Sequence, residues 1–449
     1  MHSDVSFARL KQFPQLMWIL LFGAFITRGS YYMVWPFLAV ILYEKFSLSA
    51  TEVGLILSSA ALVAVFVGFI GGALSDRFGR HQLMYASGVL YVISFSLLAK
   101  VETISGYVIV ITLCSIATAI WQPPTSALIG DIIRDAKTRE LAMQARYFVV
   151  NVGSAIGPML GVRFGLTGQQ SSFYITAGAF AFLLVLLFWG FAQQKKKQQK
   201  LAALAKEQAN QNIGSEQLEN VVQHSNAAEE SQPTKPAQVT TLSQTVKILA
   251  QDKVLQCLIA ANILCMFIYG QMDTSLIQYL NRAQVPNLLQ LISSMIFTNA
   301  CVIVTSQFVL LRMMAQLTLI NRIQIGLILL ACSQLWLAFN PLTFFWGWIG
   351  AIIVMSVAEA ILFPTMNVHI DRLAPDHLRG AYFGAASFYS LGFALAPLGG
   401  GIILDILGGF WLFIISASLC AVVIYLYSII ESLPRPDFAH EKVRSLADG

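Results

Sequence analysis

Apolar residues run through this chain in long unbroken blocks, with short polar intervals between them. Twelve blocks are long enough to matter: 14–43, 52–73, 82–99, 107–130, 141–164, 172–192, 252–280, 288–312, 322–339, 342–367, 379–404 and 409–430. A bilayer core of about 30 Å takes about 20 apolar residues as helix. Lipid offers no partner for a free backbone group, so only helices or closed barrels cross it. The blocks lack the alternation of a barrel strand, and they predict helices. The first block follows a short polar start and is too long for a signal-peptide core, so it reads as a retained span.

One polar interval stands apart. Residues 193–247 open with Lys195, Lys196 and Lys197 and are rich in Gln, Ala, Asn and Glu. That composition predicts a solvated, partly disordered or loosely helical linker. The expected organisation is an N-terminal six-helix bundle (1–192), a linker (193–247) and a C-terminal six-helix bundle with a short tail (248–449).

Composition narrows the class. Only 11% of residues are charged and mean hydropathy is +0.68, against about 25% charged in a soluble domain. Most of the surface must therefore face lipid. The net charge of +5 is distributed by topology. Lys and Arg number 22 on the side of the termini and linker and 4 on the other side. Basic loops stay in the cytoplasm, which predicts cytoplasmic termini and linker and implies no nucleic-acid partner. The six cysteines are scattered singly, without metal or redox spacing, and read as small packing residues.

The two halves echo each other. Residues 124–139 read PTSALIGDIIRDAKTR and residues 364–379 read PTMNVHIDRLAPDHLR. The offset of 240 aligns Pro124 with Pro364, Thr125 with Thr365, Asp131 with Asp371 and Arg139 with Arg379. Each segment joins the fourth span of its half to the fifth. Internal duplication puts a substrate site between the halves, near the midplane.

The loop after span two reads GGALSDRFGR. Its small residues allow close helix approach, and its arginines suit a cytoplasmic loop. The motif resembles the signature loop of the major facilitator superfamily, in the expected place of a six-plus-six protein. The resemblance implies the major facilitator fold, an all-α membrane protein of twelve spans. It also implies a gating role for Gly72, Asp76, Arg77, Gly79 and Arg80, with Asp131 as ion-pair partner. The equivalent loop of the second half, Leu311 to Arg322, lacks the acid and the glycines. Span five carries Gly153, Gly157, Pro158 and Gly161, which resembles the antiporter motif of the twelve-span drug:proton antiporter branch. Tight generic packing would use the same residues. That branch carries an arginine mid-way along span four, and none occurs here.

Charges within spans are costly and mark function. Arg28 lies mid-way along span one, followed by Tyr31, Tyr32 and Trp35 at helical spacing. Asp273 lies in span seven, with Tyr269 and Asn262 on the same predicted face. Glu359 lies in span ten. By resemblance, spans one, four, seven and ten line the central cavity, so all three charges fall on cavity helices. They serve as candidate proton or substrate groups, or as a static pair that fixes packing. Gln122 and Trp121 are further cavity candidates on span four, the tryptophan equally suited to a lipid interface. Arg146 reads as a cation snorkelling to the interface. His81, His369 and His377 sit at span ends without metal-ligand spacing, so no metal is expected.

The chain has no GxxxxGK[ST] phosphate loop, nucleophile elbow or HExxH, which argues against ATP-driven transport and hydrolytic chemistry. The expected protein is no enzyme. It is a monomeric secondary transporter of the bacterial inner membrane, moving a small molecule by alternating access. It needs no cofactor and draws on the proton gradient. Export of amphipathic small molecules or short peptides is the first expectation, with proton-coupled import of a nutrient, peptide or siderophore as the alternative. An intramembrane enzyme or sensor would need a catalytic cluster on facing helices, and the sequence shows none.

Overall fold

Where lipid withholds hydrogen bonds the chain must supply its own, and the computed structural model is helical, without strands among the described residues. Those residues are 10–133, 135–216, 248–314, 316–374, 382 and 385–435. The first half comprises α1 (Gln15–Val34), α2 (Leu38–Phe46), α3 (Ala50–Phe78), α4 (Arg80–Leu98), α5 (Ile104–Ile132), α6 (Ala136–Arg163) and α7 (Phe173–Glu216). The second comprises α8 (Lys253–Gly270), α9 (Ser275–Arg282), α10 (Leu288–Met313), α11 (Leu319–Phe339), α12 (Phe345–Leu373), α13 (Ser390–Ile406) and α14 (Gly409–Ile429).

Among the described residues, eleven segments are long and apolar enough to cross a membrane, with α1–α2 and α8–α9 each counting once. The remaining long helix is α6. It opens with Lys137, Arg139 and Glu140 and carries Arg146, so its apolar stretch is short although its 28 residues would cross.

Two spans read as continuous are broken. Span one stops at Val34, passes through a 3-10 turn at Trp35–Phe37 and resumes as α2. Pro36 sits in that turn and has no N–H to continue the α-helix. Span seven stops at Gly270 and resumes at Ser275. The break closes its own hydrogen bonds: Leu276 N–H donates to the Gln271 carbonyl at 2.8 Å, and Gln271 Nε2 to the Phe267 carbonyl at 3.0 Å. α7 runs on through the lysines to Glu216, and residues 217–247 lie outside the described set. Span eleven, expected from 379, is regular helix from Ser390.

Buried residues form two clusters. One runs from Phe13 to Phe191. The other runs from Val254 to Ile430 and also takes in Phe37 and Val40 of the first half. The halves meet along α3–α13 and α6–α10. Small residues set these distances. A Cβ on Gly54 would strike the Pro397 carbonyl, and one on Gly157 would strike the backbone of Gly29, so α3–α13 and α1–α6 pack nearly backbone to backbone.

The internal repeat survives as a shared hydrogen bond. Thr125 Oγ1 donates to the Trp121 carbonyl at 2.7 Å, and Thr365 Oγ1 to the Ile361 carbonyl at 2.6 Å. Each threonine follows a proline that cannot donate. The hydroxyl thus engages a carbonyl of the same loosened turn in both α5 and α12.

Candidate functional site

A cavity of about 330 Å³ opens among α1, α4, α5, α6 and α7. Arg28, Tyr31, Tyr91, Trp121, Arg146 and Tyr147 are on its wall. Helical spacing brings Tyr31 and Tyr32 to either side of Arg28. The guanidinium carbon lies 4.8 Å from the Tyr32 ring centre and 5.5 Å from that of Tyr31. Trp35 stacks on Tyr31 at 5.0 Å but belongs to the 3-10 turn, where it packs toward Phe95 and away from the cavity lining. Trp121 is a lining residue, edge-on to Phe180 at 5.5 Å. The side chain of Gln122 lies outside the described residues. Arg146 corrects the interface expectation: its helix face turns it into the cavity, whose wall it shares with Arg28.

The acids belong to the second half. Glu359 on α12 accepts from Tyr269 Oη of α8 and from Asn299 Nδ2 of α10, each at 2.8 Å. Asn299 also reaches Ser356 Oγ at 3.0 Å. Three helices thus converge on one carboxylate. Asp273 sits in the four-residue break between α8 and α9, not on regular helix. Asn262 does not join this face, because its side chain accepts from Tyr427 Oη at 2.6 Å.

The ends of the molecule carry different contacts. At the signature loop, Gly79 separates α3 from α4 with φ +87°, a left-handed value that a side chain strains to adopt. Arg80 forms an ion pair with Asp131. The side chains of Gly72, Asp76 and Arg77 lie outside the described residues. At the opposite end, Asp405 of α13 accepts from the N–H groups of Ala50 at 3.0 Å and Thr51 at 2.7 Å, the N-terminus of α3. Arg282 donates to the Leu48 carbonyl at 2.9 Å, lies over the Tyr43 ring at 4.7 Å and is 3.9 Å from Asp405. Further in, Leu398 N–H donates to Ser58 Oγ at 3.0 Å. The sequence reading missed this clasp. Its only signals were one acid at the end of span eleven and one of the few basic residues on that side.

The span-five motif lies at a three-helix seam. Gly153 and Gly157 face the backbone of α1, Gly161 faces Met33, and the Pro158 carbonyl accepts from Ser293 Oγ of α10 at 3.4 Å. Close packing of α6 accounts for the glycines.

Two helical bundles that meet along paired helices, with a charged and aromatic cavity among membrane-length helices, fit a secondary membrane transporter. Residues 20–390 match the Major Facilitator Superfamily. The chain belongs to that family. It is 26% identical over 403 residues to the uncharacterized MFS-type transporter YqjV of Bacillus subtilis, covering 89% of this chain and 88% of that protein. It is 23% identical to a Na(+), Li(+), K(+)/H(+) antiporter of Planococcus maritimus (93% and 96% covered) and 23% identical to the MFS-type transporter YdeE of Escherichia coli (85% and 87% covered). Among solved structures, the nucleoside transporter NupG superposes with a TM-score of 0.71 at 14% identity, covering 92% of this chain and 98% of that one. A POT family transporter in complex with 5-aminolevulinic acid superposes at 0.69 with 16% identity, covering 93% and 96%. At these identities the superpositions concern the fold.

Proposed function

We propose that the protein exports a small amphipathic molecule in exchange for protons, with Glu359 and Asp273 as the proton-carrying groups and Arg28 as their counter-charge. The observation that carries this reading is the placement of Glu359. A carboxylate in a membrane helix is costly, and here Tyr269 and Asn299 hold it between three helices. A hydroxyl and an amide can partner either protonation state, because each can both donate and accept. Asp273 lies in a break of span seven, the kind of interrupted helix that transporters place at midplane sites. A relative named as a cation/proton antiporter supports exchange.

Alternating access then needs two gates. Asp405 with the α3 N-terminus and Arg282 form one, and the signature loop with Arg80–Asp131 forms the other. The cross-half contacts at the Asp405 end represent the state closed there. The excess of basic residues beside the signature loop makes that end cytoplasmic, with both termini. A cysteine introduced as Ser215→Cys should therefore react with an impermeant reagent only in permeabilised cells.

Proteoliposomes loaded with a pH-sensitive dye and challenged with a mixed compound panel test the coupling. Wild type should show substrate-driven proton movement. Glu359→Gln or Asp273→Asn should abolish that movement while substrate exchange continues. Full proton coupling in both variants would sink the assignment.

A further inference from the structure

The cavity in the first half is a cationic site. Arg28 and Arg146 both line it, and no described lining residue is an acid. Its three threonines spend their hydroxyl protons within their own helices. Thr27 donates to the Gly23 carbonyl at 2.7 Å, Thr118 to Cys114 at 2.8 Å and Thr125 to Trp121 at 2.7 Å. The Nε of Arg28 is buried and has no hydrogen-bond partner. The remaining wall is largely aromatic and aliphatic, with Tyr31, Trp121 and Phe180 among its residues.

These features select by charge. A cationic ligand would add a third positive charge beside two guanidinium groups. A neutral ligand without an acceptor would leave the buried Arg28 Nε–H unmet, which is expensive, and a neutral acceptor would meet it only with the weaker, uncharged kind of hydrogen bond. A carboxylate, sulfonate or phosphate answers both conditions, because planar guanidinium groups match such oxygens and form the stronger, charge-assisted hydrogen bonds. On the transport reading above, where Arg28 is the counter-charge of the second-half acids, an anion entering beside it competes with them for one guanidinium.

We propose that this cavity binds an amphipathic organic anion, its apolar body against Tyr31, Trp121 and Phe180 and its charged head between Arg28 and Arg146. The proposal names the substrate class for the transport reading above and rests on that reading for the step from binding to movement.

Three probes of one shape separate the outcomes: 2-naphthoate, 2-naphthamide and 2-naphthylmethylammonium. Each is titrated calorimetrically into the full-length protein in lipid nanodiscs. The anion should bind about tenfold or more tightly than the amide, the factor expected of charge-assisted hydrogen bonds, and the ammonium more weakly still. Arg28→Gln should erase the preference for the anion over the amide. Arg146→Gln gives the same readout from a less enclosed position if the first variant folds poorly. Equal or tighter binding of the amide or the ammonium overturns the proposal, as does an unchanged anion preference in both variants. The same probes in proteoliposomes keep the two readings apart. Selective anion binding without movement would refute transport of this class and leave the site standing. Exchange of the ammonium but not the naphthoate would remove the anion site and leave transport standing.

Discussion

The two halves share a scaffold and differ in chemistry. Both keep the Pro-Thr turn and its hydrogen bond, at Thr125 and at Thr365. Yet the first half lines its cavity with Arg28 and Arg146 among aromatic rings, whereas the second contributes Asp273 and Glu359. The cations stand on regular helix. Asp273 stands in a helix break, and Glu359 hangs in a hydrogen-bond network fed by two other helices. Duplication preserved what bends the helices and released what faces the substrate. On the reading proposed above, a binding half and a proton-handling half can change separately, with Arg28 as the counter-charge that links them.

Arg28→Ala should break the comparison most severely. Deleting the guanidinium removes charge-assisted hydrogen bonds that contribute about 1.5–3 kcal/mol, so binding of the anionic probe should fall by about tenfold to more than about 100-fold, and proton coupling should vanish with it. Flux and calorimetry on the same preparation check this. Loss of only one of the two functions would show that the halves are not joined at this residue. Asp405→Asn should act more moderately. Charge-assisted bonds of this kind contribute about 1.5–3 kcal/mol, so the population closed at that end should fall about tenfold or more relative to the open one. Spin labels at Glu44 and Asn287 would read a longer distance, and an unchanged distribution would remove Asp405 from the gate. The smallest effects sharpen the shared part. Thr125→Val and Thr365→Val each delete one hydroxyl and keep the branched shape. Each should cost about 1 kcal/mol, with matched shifts in melting temperature. A large inequality would mean that the repeat is no longer mechanically equivalent.

Much of the scaffold was legible because lipid imposes a simple code. Long apolar runs give spans, and a dense signature loop gives the family. The site was legible in its charged members, since Arg28, Asp273 and Glu359 stand out against apolar sequence. Other features depended on contacts that no local pattern carries. The break at 271–274 contains no proline and is closed by the Gln271 side chain, so hydropathy ran straight through it. Asn299 sits in span eight and matters only through Glu359 on another helix. Arg146 lies near a span end, as snorkelling residues do, and only the rotation of α6 against α1 turns it inward. Asp405 is recognised by backbone N–H groups more than 350 positions away, and backbone donors leave no residue-type signature. Trp35 followed the helical period on paper, but Pro36 ended that period one residue too soon.

The clasp at Asp405 has a consequence for the solution in which the protein works. Dissolved ions weaken attraction between exposed opposite charges over distances beyond about 8–10 Å. This clasp leans less on such attraction, since Arg282 stands off at 3.9 Å while the main bonds are short ones to uncharged N–H groups. Direct bonds of 3.0 and 2.7 Å leave no room for an intervening ion. The balance between the open and closed forms of that face should thus vary little from dilute to saline medium. A transporter latched chiefly by paired side-chain charges would drift open as salinity rose.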